Sequence, residues 1–556
     1  MIEFDNVSFA YTPASSPVLS GLSCLIAEGQ LALLAGVTGA GKSTMLRMVN
    51  GLVPHFSGGQ MSGQVLVNQV STRQRPPRYW ANLVGYVPQE PAASFVTEHV
   101  ESELAYGMTQ LGVASNIMRA RVEETLDLLG IAELRDRPLV DLSGGQAQRV
   151  AIGAALAAGP TILVLDEPTS ALDPTAAEEV LAIIARLVHD LGMTVLLAEH
   201  RLERAIQFAD QLLYLDSNGF VSQGEPAEVA QQLPIAPPIV ELGRLAGWQP
   251  LPTSVRQARR QAESLRKRLP TAALPAGQPA VSANAAASPP HIADTTSPQP
   301  PVVEVRNLSV CYGPIVAVDN VSFQLPAGRV TAIMGRNGSG KSSLLWAIRG
   351  VGPRSSGQVL INGQDPAQVH PHQARQLAAL VPAEPGDLLY LDSVAAELGH
   401  GQAAVVLARI APQIDLAAHP RDLSEGERLC LALALQLVAN PAVVLLDEPT
   451  RGLDYQAKTA LTGVLRGLAG EGCAVVLVTH DVEFAAGVAD HVLTMAEGQI
   501  VTDGAARQAL TASPALAPQV ARILGLEWQC LTVDDVRQAL GMDTPTQPTA
   551  VLPTAG

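Results

Sequence analysis

At 556 residues the chain is too long for one compact core, so two or more domains are expected. Hydrophobic residues at 47% and charged residues at 16% describe a folded chain with large buried sheets and exclude a disordered one. A formal net charge of -16 repels phosphodiester backbones, which disfavours a general nucleic-acid binder while leaving room for a local basic patch.

The N-terminal stretch MIEFDNVSFAY lacks a basic region followed by an apolar run. No uninterrupted apolar stretch reaches the roughly 18 residues that a membrane helix needs, so a chain that neither spans a membrane nor is exported is expected. The cysteines, Cys24, Cys311, Cys430, Cys473 and Cys530, are far apart, odd in number and without CxxC spacing. Neither a disulfide framework nor a zinc site is suggested, and a reducing cytosol fits.

The first strong signal is LALLAGVTGAGKST at 31–44, an apolar strand running into a glycine-rich turn and then a helix. Gly36, Gly39 and Gly41 leave backbone N–H groups free to wrap phosphate oxygens, and the helix that carries Lys42, Ser43 and Thr44 aims its positive end at the same anion. Lys42 is expected to neutralise the β and γ phosphates, and Ser43 to offer its hydroxyl to magnesium. A buried strand, ILVLD at 162–166, ends in Asp166, which reaches that ion across the facing crevice. Glu167 follows directly, where an attacking water must be oriented and relieved of its proton. A glutamate there can merely cap a strand end, but the DEPT context favours the base. His200 ends another apolar strand at the same crevice and is placed to meet the γ phosphate and the water.

All of this occurs twice. VTAIMGRNGSGKSS at 330–343 supplies Gly335, Gly338, Gly340, Lys341, Ser342 and Ser343, and VVLLDEPT at 443–450 supplies Asp447 and Glu448. His480 ends VVLVTH as His200 ends TVLLAEH. LSGGQ, with Ser143, Gly144, Gly145 and Gln146, is matched by LSEGE, with Ser424, Glu425, Gly426 and Glu427. The interval from Ser143 to Asp166 equals that from Ser424 to Asp447, so order and spacing repeat together.

A quieter repeat closes each half: Pro238, Trp248 and the VRQA box at 255–258 recur as Pro518, Trp528 and VRQA at 536–539. The bland reading is a small helical cap that packs its tryptophan on the parent domain; the sharper one is a pair of caps that helps to hold the halves together. The basic run from Arg256 to Arg268 reads as a helix with a solvated face, and a contact with acidic lipid or RNA weighs less. The Pro, Ala and Ser enrichment of 269–301 describes an extended tether with an end-to-end distance of ~30 Å. The expected layout is a first domain at 1–235, its appendage at 236–268, the tether at 269–301, a second domain at 302–512, its appendage at 513–545 and a tail at 546–556.

LSGGQ, the glycine-rich turn and the LDEPTSALD stretch resemble the ABC ATPase family over nearly all of the chain outside the tether. The resemblance implies an α/β fold with two P-loop NTPase domains in tandem, each with a mostly parallel sheet core, an antiparallel β subdomain and a helical subdomain. It also implies intramolecular pairing, with two ATPs and their Mg2+ ions sandwiched so that the signature serine of one domain contacts the γ phosphate held by the other. Tyr11 and Tyr312 match the family's adenine-stacking aromatic, and Gln89 matches the loop glutamine that senses the γ phosphate and magnesium. Two departures fall on opposite composite sites. Glu425 replaces a glycine, and a carboxylate ~5 Å from the γ phosphate would cost on the order of 3 kcal/mol at an effective dielectric of 20 unless it turns outward or finds a cation. Ala383 stands where the first half has Gln89. Both sites are expected to bind ATP and to hydrolyse it at different rates.

The stretches TEHVESELAYG at 97–107, AEHRLE at 198–203, WQPLP and VRQARR resemble the ATPases of energy-coupling-factor importers, particularly the fused form. That likeness implies a transmembrane coupling subunit, a small substrate-capturing membrane subunit, a peripheral position at the cytoplasmic face of the membrane, and a vitamin, a vitamin precursor or a cobalt or nickel ion as cargo. The alternative is a soluble twin-ABC ATPase acting on ribosomes or nucleic acid. Such proteins join their domains by a charged helical linker, which this Pro/Ala-rich, acidic chain lacks. A fused sugar-importer ATPase shares the tandem layout but not these stretches.

Overall fold

The computed structural model describes residues 1–12, 17–270, 301–399 and 401–542. The expected tail and nearly all of the expected tether lie outside these residues. The chain forms two compact units, Met1–Ser254 and Val255–Gly556. This division departs from the expected layout, because the segment 236–268 is split at Ser254 instead of staying whole with the first half.

In the first unit, β1 (Ile2–Ala10) pairs antiparallel with β2 (Leu19–Ile26) and with β4 (Gln60–Val67), which in turn pairs with β5 (Val70–Ser71). The burial of β1 alternates, as expected for a sheet with one face on the core. Strands β3 (Leu31–Gly36), β6 (Val84–Val87), β7 (Ile162–Asp166), β8 (Thr194–Ala198), β9 (Gln211–Leu215) and β10 (Val221–Gly224) form a second sheet, in the order β10-β9-β3-β8-β7-β6. All its neighbours run parallel except β9 and β10. LVLLA-type runs such as β7 and β8 are buried at every position, because helices cover both faces of a parallel sheet. Helix α1 (Lys42–Val49) follows β3, and the helical subdomain consists of α2 (Val100–Gln110), α3 (Ser115–Leu129) and the start of α4 (Gly144–Ala157). Beyond it lie α5 (Pro174–His189) and α6 (Pro238–Ala246).

The second unit opens with two short helices, α7 (Val255–Gln261) and α8 (Glu263–Arg268), in place of one continuous basic helix. Its antiparallel sheet has the order β12-β11-β14, from β11 (Val303–Tyr312), β12 (Ile315–Leu325) and β14 (Ser356–Ile361). The core sheet has the order β15-β16-β17-β13-β18-β19, from β13 (Val330–Met334), β15 (Ala378–Val381), β16 (Val443–Asp447), β17 (Ala474–Val478), β18 (His491–Ala496) and β19 (Gln499–Ala505). The two core sheets therefore share one topology, and only β18 and β19 run antiparallel in the second. Helix α9 (Lys341–Arg349) follows β13, α10 (Val394–Leu398) and α11 (Gln402–Ile410) form the helical insertion, and α12 (Glu425–Leu437) runs back to the sheet. Helices α13 (Tyr455–Gly470), α14 (Gln519–Leu524) and α15 (Val533–Ala539) lie beyond it. Among the described residues no helix is long and apolar enough to cross a membrane.

In each unit the chain order reverses at the strand before the glycine-rich turn: β3 lies between β8 and β9, and β13 between β17 and β18. Crevices open at such switch points, beyond the carboxyl ends of the strands. Gly36, Val87, Asp166 and Ala198 end four of the first unit's strands, so the predicted residues gather at one edge.

Candidate active site

In the first unit the turn between β3 and α1 wraps tightly. Gly41 has φ 100° and Gly39 φ 82°, and a Cβ on Gly36 would lie 2.5 Å from the Leu215 carbonyl oxygen. Glycine is required there because the backbone itself closes the cradle. Lys42 is buried and its Nζ donates to the carbonyl oxygens of Gly36 (2.9 Å) and Val37 (3.1 Å), which holds the ammonium over the turn. Thr44 shares a 2.8 Å hydrogen bond with the Tyr11 hydroxyl. Tyr11 is 40% exposed and meets Phe9 edge-on, which leaves a ring face available to a base.

Asp166 is buried at the end of β7. Burial raises its carboxyl above the ordinary value, and neighbouring Glu167 adds to this, against a hydrogen bond from Ser43 and the charges of Arg47 and Lys42. A desolvated carboxylate beside a hydroxyl is an oxygen-only pair that suits Mg2+, with phosphate oxygens and water supplying the other ligands. Tyr86 donates toward Asp166 Oδ2 at 3.5 Å and accepts from Arg47 Nε at 3.4 Å. Neither Tyr86 nor Arg47 stands out in the sequence; the position of Tyr86 within GYVPQEP was the available signal.

Glu167 takes up a left-handed backbone, φ 49°, which is rare for a residue with a side chain and concentrates where geometry is imposed by function. Its Oε1 lies 2.7 Å from His200 Nε2, and its Oε2 accepts from Gln89 Nε2 at 3.1 Å. Burial pushes this carboxyl up, but His200 and Lys42 outweigh it and hold Glu167 below its ordinary value. The Glu167 carboxyl is therefore held toward its ionised form and clamped on both oxygens. Glu199 was not foreseen. It is fully buried beside His200, accepts the Thr169 N–H at 3.0 Å, and burial pushes its carboxyl up to about 7.

The second unit repeats this framework with substitutions. Lys341 Nζ donates to Gly335 O (2.9 Å) and Arg336 O (2.8 Å), and Gly338 and Gly340 have φ 80° and 97°. Ser342 Oγ donates to Asp447 Oδ1 at 3.1 Å, and burial raises Asp447 as it does Asp166. Glu448 has φ 47° and lies 2.8 Å from His480 through Nδ1. Tyr312 is 47% exposed, close to the 40% of Tyr11. Strand register places Leu380 where the first unit has Tyr86. Ala383 leaves Glu448 without a glutamine clamp, and the next residue, Glu384, pairs instead with Arg451.

The signature serines cap helices. Ser143 and Gln146 form a reciprocal capping box at the start of α4, and Ser424 and Glu427 form one at α12. Gly144, Gly145 and Gly426 lie in the first turns, where free N–H groups and the helix dipole favour an anion. Glu425 does find a cation: its Oε1 accepts from Arg428 Nη2 at 2.7 Å. Gly452 makes room for it, since a Cβ there would lie 2.8 Å from Glu425 Cγ. The backbone N–H of each serine donates to the side chain three residues on, Ser143 to Gln146 Oε1 at 3.0 Å and Ser424 to Glu427 Oε2 at 2.9 Å, and Ser424 Oγ also donates to Glu427 Oε2 at 2.7 Å.

The family model described as ABC transporter matches residues 19–170 and 318–451. A putative ABC transporter ATP-binding protein of Streptomyces coelicolor is 50% identical over 97% of this chain and 100% of its own length. Another from Methanosarcina mazei is 31% identical over 91% of this chain and 89% of its own. The crystal structure of the complex of archaeal ribosomal stalk protein aP1 and archaeal ribosome recycling factor aABCE1 covers 91% of both chains with a TM-score of 0.56 at 20% identity, a likeness of fold. Twin phosphate cradles, twin Asp-Glu strand ends and these relatives agree: the chain belongs to the ABC transporter family and carries two of its ATPase domains, which bind ATP and hydrolyse it with Mg2+.

Proposed function

We propose that this chain powers uptake of a small substrate, a vitamin, a vitamin precursor or a cobalt or nickel ion, from the cytoplasmic face of the membrane. It docks there on a transmembrane coupling subunit accompanied by a substrate-capturing membrane protein. Its two ATPase domains pair around two ATPs, and closure on ATP followed by release on hydrolysis is the stroke. Lys42 and Lys341 bind the β and γ phosphates, and the pairs Ser43/Asp166 and Ser342/Asp447 hold Mg2+. Glu167 and Glu448 take a proton from the attacking water as its oxygen bonds to the γ phosphorus and the bridge to the β phosphate breaks. His200 and His480 orient both partners, and Ser143 and Ser424 close on the γ phosphate.

The observation that carries the docking reading is the built loop after Gln89. The buried Glu103 carboxylate accepts from Val96 N (3.0 Å), Thr97 N (2.9 Å) and Thr97 Oγ1 (2.9 Å), so the TEHVESE stretch is a rigid turn that leads from the site to the helical subdomain. Glu397 pins the equivalent loop through Tyr390 N and Leu391 N. These turns expose apolar side chains, Val96 at 60% and Tyr390 at 80%, beside the residues that sense nucleotide. Relatives named ABC transporter ATP-binding proteins at up to 50% identity support the same reading, whereas the ribosome recycling factor shares the fold at 20%.

The test is recovery of the tagged chain from its host. A multi-span membrane protein is expected to co-purify from detergent-solubilised membranes, and V96D with Y390D is expected to lose it while the isolated chain keeps its ATPase activity. Recovery with ribosomes in place of membrane proteins would overturn the assignment.

A further inference from the structure

By sequence repeat, residues 255–268 are the end of the first half's appendage, because VRQA at 255–258 copies VRQA at 536–539. By packing they belong to the second unit. Ala258, Ala262, Leu265 and Leu269 recur at helical spacing and are all buried, while Arg256, Arg259, Arg260, Lys267 and Arg268 face outward. Arg266 turns inward to the end of α14. Its Nε donates to Leu524 O at 2.7 Å and its Nη2 to Ile523 O at 2.6 Å, which satisfies two carbonyls that a helix terminus leaves without partners and places a cation at its negative end. Leu269 and Pro270 line one hollow with Trp528, Cys530 and Asp535, so the docked segment continues to the second repeat tryptophan.

We propose that α7–α8 is a standing brace: the first half's last two helices stay docked on α14 and Trp528 of the second half whatever the state of the nucleotide sites, so the halves are held together by this contact and not by residues 271–300. The partner surface is a segment of the same chain, and the inference is independent of what the ATPase drives. It follows that the covalent join which matters lies at Ser254–Val255, far upstream of the Pro/Ala-rich stretch.

The experiment is to place a protease site within 271–300 of the full-length chain, cleave it, and weigh the products by gel filtration with light scattering in EDTA without nucleotide. The two fragments are expected to travel together at the mass of the intact chain. With L265D and R266A added, the dissociation constant is expected to rise at least 10-fold and two separate peaks to appear, while the uncut variant keeps its ATPase activity and melting profile. Separation of the fragments with Leu265 and Arg266 intact would overturn the proposal, and so would a cut L265D/R266A variant that stays together as firmly as its parent.

Discussion

Glu425 shows how a residue that looks hostile to phosphate is accommodated. Arg428 neutralises it from the next turn of α12, and Gly452, at φ 67°, yields the space its side chain needs. Gly452→Ala should therefore cost about 1 kcal/mol or more, through both steric conflict with Glu425 and a backbone that resists a Cβ. In a double-mutant cycle, Glu425→Gly should recover the steric part and give a coupling of roughly 1 kcal/mol in unfolding experiments; strictly additive losses would show that the two side chains do not meet. Glu199 carries a different expectation. Its carboxyl is raised from 4.5 to about 7 by burial, so the folded state holds the proton longer than the unfolded one. Stability from this group is complete below pH 4.5 and is lost as pH rises through about 7, a slope worth roughly 3 kcal/mol at most. Glu199→Gln still offers an oxygen to the Thr169 N–H, and its melting temperature should fall less than the parent's between pH 5 and pH 8. An unchanged slope would place the titration elsewhere.

Among elements, the segments after β6 and β15 matter most, because each is pinned to the helical subdomain by a single carboxylate, Glu103 in the first unit and Glu397 in the second. Glu103 accepts three hydrogen bonds, so Glu103→Ala leaves two backbone N–H groups and a hydroxyl to water. A loss of about 1 to 3 kcal/mol from the first unit is expected. Hydrogen exchange at Val96 and Thr97 should rise steeply while exchange in β7 stays slow, and equal protection in parent and variant would refute the pin. Helices α4 and α12 show the same economy: each starts on a serine that caps it, so the signature residue is positioned by the helix that it also terminates.

For the molecule as a whole, twin topology carries two different sets of side-chain contacts. The first unit clamps Glu167 with Gln89 and His200 and backs Asp166 with Tyr86 and Arg47. The second holds Glu448 with His480 and ties Glu384 to Arg451. Glu167→Gln and Glu448→Gln should each lower ATP turnover, by up to ~100-fold or more where the site dominates, and by unequal factors. Equal losses in steady-state turnover would show that the halves work as equivalents.

Much of this was legible in the chain alone. Local chemistry dictates the glycine turns and the all-apolar strands that end in Asp-Glu, because each is set by a few adjacent residues and each occurs twice at matched spacing. Contacts between distant segments are another matter. That Tyr86 reaches Asp166, that Glu199 is sealed from water beside His200, and that Arg428 and Gly452 absorb Glu425 depends on which strands and helices become neighbours. The fate of α7–α8 is the clearest case. The sequence describes a basic helix with a solvated face that closes the first half's appendage, and only packing in three dimensions assigns it to the second unit, where Arg266 finds carbonyl groups more than 250 positions further along the chain.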